Sequence, residues 1–295
     1  MAVVADILPP PARSGFVRFV VRLFREKPLG AAGAVVFFFF LFCGLFADFL
    51  APYGVNQISP ANRLKPPQAK YWFGTDNLGR DVLSRCLYGA QLSVIIGFCT
   101  ATLATLISVT LGILTGYLGG KFDLITQRFV DAWMSFPELI ILIVVVSVLG
   151  PGMFQIIGTL GLVLGIAGSR IIRGTVVSVR ENMYVHAAQS VGASTGRILW
   201  KHILPNVLPP IIVLFTTRVG SVILAESGLS FLGLGVPPEI PTWGGMLAEG
   251  RSYVVGAWWI AVFPGLGIFL TVLGLNLLGD WLRDLFDPKG ELNLR

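Results

Sequence analysis

Six apolar runs punctuate the chain, at about Gly30 to Leu50, Ser93 to Tyr117, Phe129 to Leu149, Met153 to Ser169, Val207 to Leu234 and Ala257 to Leu278. Each is near the roughly 20 residues an α-helix needs to cross a bilayer. The pattern predicts an all-α polytopic membrane protein with six transmembrane helices. Only Gly150-Pro151-Gly152 parts the third run from the fourth, which predicts a tight hairpin between them. The first run follows basic residues, as a signal peptide does. It is longer than a signal h-region, however, and no small-residue cleavage pattern follows it, so it reads as an anchor.

Composition and charge orient this pattern. Hydrophobic residues make up 54% of the chain and charged residues 13%, about half the charged share of a soluble domain. The net charge of +6 does not indicate nucleic acid, because the basic residues are dispersed among the connections and form no stripe. Lys and Arg concentrate on one side of the runs. Fifteen fall in the tails and loops that share a side with the N-terminus: Arg13, Arg18, Arg22, Arg25, Lys27, Lys121, Arg128, Arg170, Arg173, Arg180, Arg197, Lys201, Arg283, Lys289 and Arg295. Six fall opposite: Arg63, Lys65, Lys70, Arg80, Arg85 and Arg251. Positive charge is retained in the cytoplasm, so both termini are expected there. The expected layout is a cytoplasmic tail (1–28), a first anchor (29–51), an external segment (52–92), a five-helix core (93–281) with a cytoplasmic loop at 170–205, and a C-terminal tail (282–295).

Two charges, Arg218 and Glu226, lie inside the fifth apolar run. Glu226 at mid-membrane costs about 2.5 to 3.5 kcal/mol on insertion scales, so it is expected to face protein or a water-filled cavity. Arg218 shares its helical face but lies about 12 Å away along the axis, so each needs a partner elsewhere. Both are candidates for a polar or gating role. Asp131 and Glu138 share one face of the third run, an arrangement that fits interfacial snorkelling or packing. Gly112, Gly116 and Gly120 recur every four residues, as do Gly161 and Gly165. Such faces let helices approach closely, within the chain or across to another subunit. Cys43, Cys86 and Cys99 are placed for neither a disulfide framework nor a metal site. No HExxH is present, which argues against a metalloprotease-type membrane enzyme. A phosphate-binding loop is missing as well: before Gly120-Lys121 the first glycine is replaced by Thr115, and Phe122 takes the hydroxyl position.

The polar, basic stretch from Tyr184 to Pro205 lies between two apolar runs and is expected to be a structured loop at the cytoplasmic face. Ala187 and Ala188 favour helix and present little bulk, and Gly192 is expected to let the backbone turn where a side chain would clash. His186 and His202, the only histidines, are sixteen apart with no cysteine nearby and match no zinc pattern. The alternative is a solvated linker.

This loop resembles the EAA loop by which permease subunits of ABC importers grip their ATPase partners. Ala187, Ala188, Gly192, Leu204 and Pro205 match its pattern in register, while His186 stands in place of glutamate and His202 in place of isoleucine. By this resemblance the docking residues are Tyr184, His186, Ala187, Ala188, Gly192, Ala193, Ser194, Arg197, Leu204 and Pro205. The stretch from Trp72 to Gly89 is similar to the FGTDxxGRDxxSRxxYG signature of the dipeptide, oligopeptide and nickel family, through Gly74, Thr75, Asp76, Gly79, Arg80, Asp81 and Arg85. Local ion pairs of Arg80, Asp81 and Arg85 are expected to orient a short external helix on the bilayer; a solvated connector is the alternative. Ile223 to Gly235, Pro241 to Gly244 and Gly274 to Pro288 also fit the family, although Gln91 replaces an expected arginine.

The resemblance implies a type I ABC importer permease fold in the cell inner membrane and a transport subunit, not an enzyme. Its implied partners are the lipid bilayer, a homologous permease, two cytosolic ATP-binding subunits and an extracytoplasmic solute-binding protein. ATP and Mg would be held by the ATPases and no cofactor by this chain. Di- or oligopeptides are the implied cargo, with nickel or another small solute as the alternative and a secondary transporter as a more distant one.

Overall fold

The computed structural model describes residues 28–286. The expected N-terminal tail lies outside them but for Pro28; of the expected C-terminal tail, residues 282–286 lie inside and continue the last helix. Nine helices carry the architecture: α1 (Pro28–Leu45), α2 (Val82–Leu118), α3 (Gly120–Met134), α4 (Glu138–Leu149), α5 (Met153–Arg180), α6 (Met183–Ser190), α7 (Leu204–Phe231), α8 (Trp243–Gly250) and α9 (Trp259–Phe286). Five are long and apolar enough to cross a membrane: α1, α2, α5, α9 and the run Thr195–Phe231 that contains α7.

The expected third span differs in form. It is broken into α3 and α4, which meet at 82° across Ser135-Phe136-Pro137. Proline has no N–H to donate and disfavours helix at the residue before it. Asp131 and Glu138 therefore lie on different helices and do not share a face. Asp131 pairs instead with Arg128 at 3.4 Å and Arg170 at 3.3 Å, and Glu138 is exposed.

The packing of α2 on α5 decides how many times the chain crosses. A Cβ on Gly161 would meet Leu103, one on Gly165 would meet Ile107, one on Gly112 would meet Ile172 and one on Gly116 would meet Val176. The two registers advance together, so α2 and α5 run parallel. The chain must therefore return between them, and only α3 and α4 are available to do so. With that return the chain has six crossings, and α4 joins α5 through Gly150, whose N–H bonds Val146 O at 2.9 Å. Gly120 is not part of the packing face: a Cβ there meets nothing, and its φ of +58° serves the turn into α3.

Other close approaches complete the bundle. Gly33 of α1 and Gly274 of α9 bring backbone against backbone. Trp243, at the start of α8, is fully buried beside Gly89 and Gly267 and donates its indole N–H to Cys86 O at 3.0 Å. Asp81 starts α2 by accepting from Ser84 N at 2.7 Å, a side-chain cap that satisfies a first-turn donor. That cap sets the helix start at Val82, well before the expected Ser93. Helix α5 runs on to Arg180, so 170–180 is helix and the loop expected at the cytoplasmic face begins after it.

Because lipid tails are as apolar as leucine, helix association here rests on close fit. Gly116→Leu, driven into Val176 and the Arg173 backbone, should destabilise the purified chain in detergent by about 1 to 3 kcal/mol. Gly174→Ala, at a helical position with nothing within 4 Å, should be neutral or stabilising. Equal thermal midpoints for the two variants would contradict the packing.

Candidate coupling loop and polar sites

The loop is a helix–turn–helix held onto the end of α5. Val185 of α6 and Ile198, Ile203 and Val207 beyond it are buried against Ile172 and Val176. α6 stops in a Schellman turn: Gly192 N bonds Gln189 O at 2.9 Å and Ala193 N bonds Ala188 O at 3.0 Å, with Gly192 at φ +76°. This left-handed position favours glycine. A Cβ at Gly192 would meet nothing within 4 Å, so within this chain the backbone angle, not a clash, selects the residue. Ser194 opens the next turn by accepting from Arg197 N at 3.4 Å. A π-turn over Leu199–Ile203 then leads into α7, whose second residue, Pro205, has no N–H to give.

The residues expected to dock divide by face. Ala188, Ala193 and Leu204 are half-buried toward α5, while Tyr184, His186, Ala187, Gly192, Ser194, Arg197 and Pro205 are exposed. Met183, Val191 and Trp200 are exposed apolar neighbours on the same loop; their size among polar residues was the available signal for them. His186 lies 3.9 Å from Glu181, both exposed, and the Tyr184 and His202 rings are 6.3 Å apart.

Within the bundle, Arg218 is buried where three helices meet. Its Nη2 donates to Ser108 Oγ of α2 at 2.9 Å and to Leu164 O of α5 at 2.8 Å. A Cβ on Gly168 would overlap that guanidinium. Glu226 is fully buried and accepts from Ser230 Oγ at 2.7 Å, while its Oε2 has no hydrogen-bond partner. The two charges do not pair with each other, in keeping with their separation along α7.

At the opposite end of α2 the signature residues form a compact knot, which differs from the expected surface helix. Asp76 Oδ1 accepts from Leu78 N at 2.8 Å and Arg80 N at 2.9 Å, and Oδ2 accepts from Arg80 Nε at 2.5 Å. Arg80 Nη2 also reaches Glu249 Oε2 of α8 at 3.0 Å. Arg85 lies 3.4 Å from Glu249 Oε1 and 3.8 Å from Asp76 Oδ2. The arginines thus pair with Asp76 and Glu249. Asp81 is occupied in capping α2; burial pushes its carboxyl above the usual range, against the Ser84 hydrogen bonds. Gly74, at φ +74°, lies against Lys65 O and Trp259. Thr75 accepts from Lys65 N at 2.8 Å, and its carbonyl accepts the Trp259 indole N–H at 3.0 Å. Gly79 turns at φ +75°. Glu249 is the member that sequence reasoning missed; it lies more than 160 residues from either arginine, with no motif linking them.

Removing one partner of a buried ion pair strands the other. Asp76→Ala should therefore cost about 3 to 5 kcal/mol, and Glu249→Gln, at a partly exposed position, markedly less. Thermal denaturation of the purified chain checks this ordering, and an inverted order would contradict it.

The chain was compared with known proteins. The family described as binding-protein-dependent transport system inner membrane component matches residues 108–290, and the N-terminal TM domain of oligopeptide transport permease C matches residues 15–67. The chain is 39% identical to the dipeptide transport system permease protein DppC of Alkalihalophilus pseudofirmus, over 90% of this chain and 87% of that one. It is 40% identical to the probable D,D-dipeptide transport system permease protein DdpC of Escherichia coli, over 92% and 91%. With the glutathione transport system permease protein GsiD of Pectobacterium atrosepticum it shares 38% identity, over 98% and 96%. Six crossings, a loop docked on α5 and these matches over most of its length have one reading: the chain belongs to the inner-membrane permease components of binding-protein-dependent ABC transport systems, a multi-pass transport subunit and not an enzyme.

Proposed function

We propose that the chain forms, with a homologous permease, the path through which short peptides enter the cell, and that two cytosolic ATPases holding ATP and Mg drive it. A solute-binding protein delivers the cargo to the outer face. The loop from Met183 to Ile203 carries this reading. It is fixed to α5 by buried aliphatics and offers Met183, Tyr184, Val191 and Trp200 outward. A partner that pushes on this face acts on α5, and through Arg218 and the glycine contacts on α2 and α7 as well. Peptide cargo is supported by the relatives, which are named for dipeptide, D,D-dipeptide and glutathione transport.

Uptake of a labelled dipeptide by the assembled system in proteoliposomes tests the reading; ATP-independent uptake, or none, would overturn it. Two variants probe the loop. Asparagine tolerates the left-handed region, whereas a β-branched residue there is strained by about 1 to 2 kcal/mol. Gly192→Asn should keep coupled uptake, and Gly192→Val should insert normally yet lower uptake per ATP severalfold. Wild-type coupling in Gly192→Val would contradict the loop's role.

Orientation is testable in the same system. With the native cysteines replaced, Ser194→Cys should react with an impermeant thiol reagent only from the cytosolic side, and Val255→Cys, fully exposed near α8, only from outside. Labelling of both from one side would refute the topology.

A further inference from the structure

A cavity of about 330 Å³ lies between the connection from α7 to α8 and the start of α2, with Arg85, Ser230, Glu239, Thr242, Ala248 and Glu249 in its lining. Its volume is at the low end of the roughly 300 to 1,000 Å³ of ligand pockets, which suits a small solute better than an extended chain.

The two arginines of the knot are not equally satisfied. Arg80 takes the short contacts, at 2.5 Å to Asp76 and 3.0 Å to Glu249. Arg85 is more deeply buried, with 2% of its side chain exposed, yet its nearest carboxylate oxygens are 3.4 and 3.8 Å away and its Nη1 has no hydrogen-bond partner. A guanidinium presents five donors in a fork that matches a carboxylate. A buried donor left unmade is costly, so Arg85 has bonding capacity for an incoming carboxylate. A bare anion does not fit the lining as a whole, because Glu239 and Glu249 face the same space. Those carboxylates favour a ligand that brings an ammonium with its carboxylate. Ser230 and Thr242 add hydroxyls that donate or accept.

We propose that this external cavity is a binding site for a small zwitterion of the dipeptide class, its carboxylate on Arg85 and its ammonium toward Glu239 and Glu249. The inference rests on the peptide-importer reading. Ser230 connects the site to the membrane interior, since it lines the cavity and donates to the buried Glu226 of α7.

The test uses the permease pair with its ATPases in lipid nanodiscs, without binding protein, and calorimetric titration with glycylglycine. The wild-type complex should bind it. Amidating its C-terminus or acetylating its N-terminus should each weaken binding by about tenfold or more, as expected when one member of a charged pair is lost, and acetate should not compete. Arg85→Lys should weaken binding similarly, because an ammonium lacks the fork. Ala248→Leu, which fills the cavity and removes no hydrogen bond, should abolish binding while keeping the unliganded thermal midpoint; it decides the matter if Arg85→Lys proves unstable. No binding by the wild type, equal binding of dipeptide and amide, or full binding by Ala248→Leu would overturn the site. Because no uptake is measured, a negative result here leaves the importer reading intact, and failed uptake in proteoliposomes leaves the binding result readable.

Discussion

The parallel contact between α2 and α5 is the constraint on which the other features depend. In lipid, apolar surface gains little by meeting apolar surface, so close backbone approach and buried polar contacts carry helix association. Gly112 and Gly116 on one helix and Gly161 and Gly165 on the other make that approach possible, with Ser108 Oγ donating to Gly165 O at 2.6 Å inside it. Arg218 then pins α7 to the pair by bonding both helices at once. Arg180 closes the far end by donating to Tyr117 O at 3.0 Å.

This pair gives the molecule a lever. α2 has 37 residues, which at 1.5 Å per residue is about 55 Å, longer than the hydrocarbon core. One end of it belongs to the knot of Asp76, Arg80, Arg85 and Glu249; the other meets the part of α5 on which the loop that begins at Met183 is docked. On the proposed reading, a displacement of the loop would be applied to a strut that reaches the opposite end of the bundle. Packed interfaces of this kind shift between discrete arrangements more readily than they deform. The break between α3 and α4, where Pro137 interrupts the backbone ladder, leaves the return crossing outside this strut.

What was legible in the chain follows from local chemistry. Runs of apolar residues announced the crossings, and spaced glycines announced close-packed faces, because both signals are written within one element. The Schellman turn at Gly192 could be anticipated for the same reason, although its cause is a backbone angle and not crowding. Partners drawn from distant elements were not legible. Nothing in the run around Arg218 names Ser108 or Gly168, and nothing around Arg80 or Arg85 names Glu249, more than 160 residues on. The third crossing was misread as continuous because its hydropathy spans Pro137 without a dip large enough to mark the 82° bend.

A reversible cross-link between α2 and α5 tests the rigid-pair account most directly. A Cβ on Gly161 would lie 3.2 Å from that of Leu103, close to the 3.5 to 4.5 Å typical of disulfides, and replacing Leu103 removes the side chain that would obstruct it. With Cys43, Cys86 and Cys99 replaced, the Leu103→Cys/Gly161→Cys transporter should take up dipeptide at the same ATP-driven rate whether oxidised or reduced. Loss of uptake on oxidation, restored by reduction, would show that the two helices move past one another and would contradict the account.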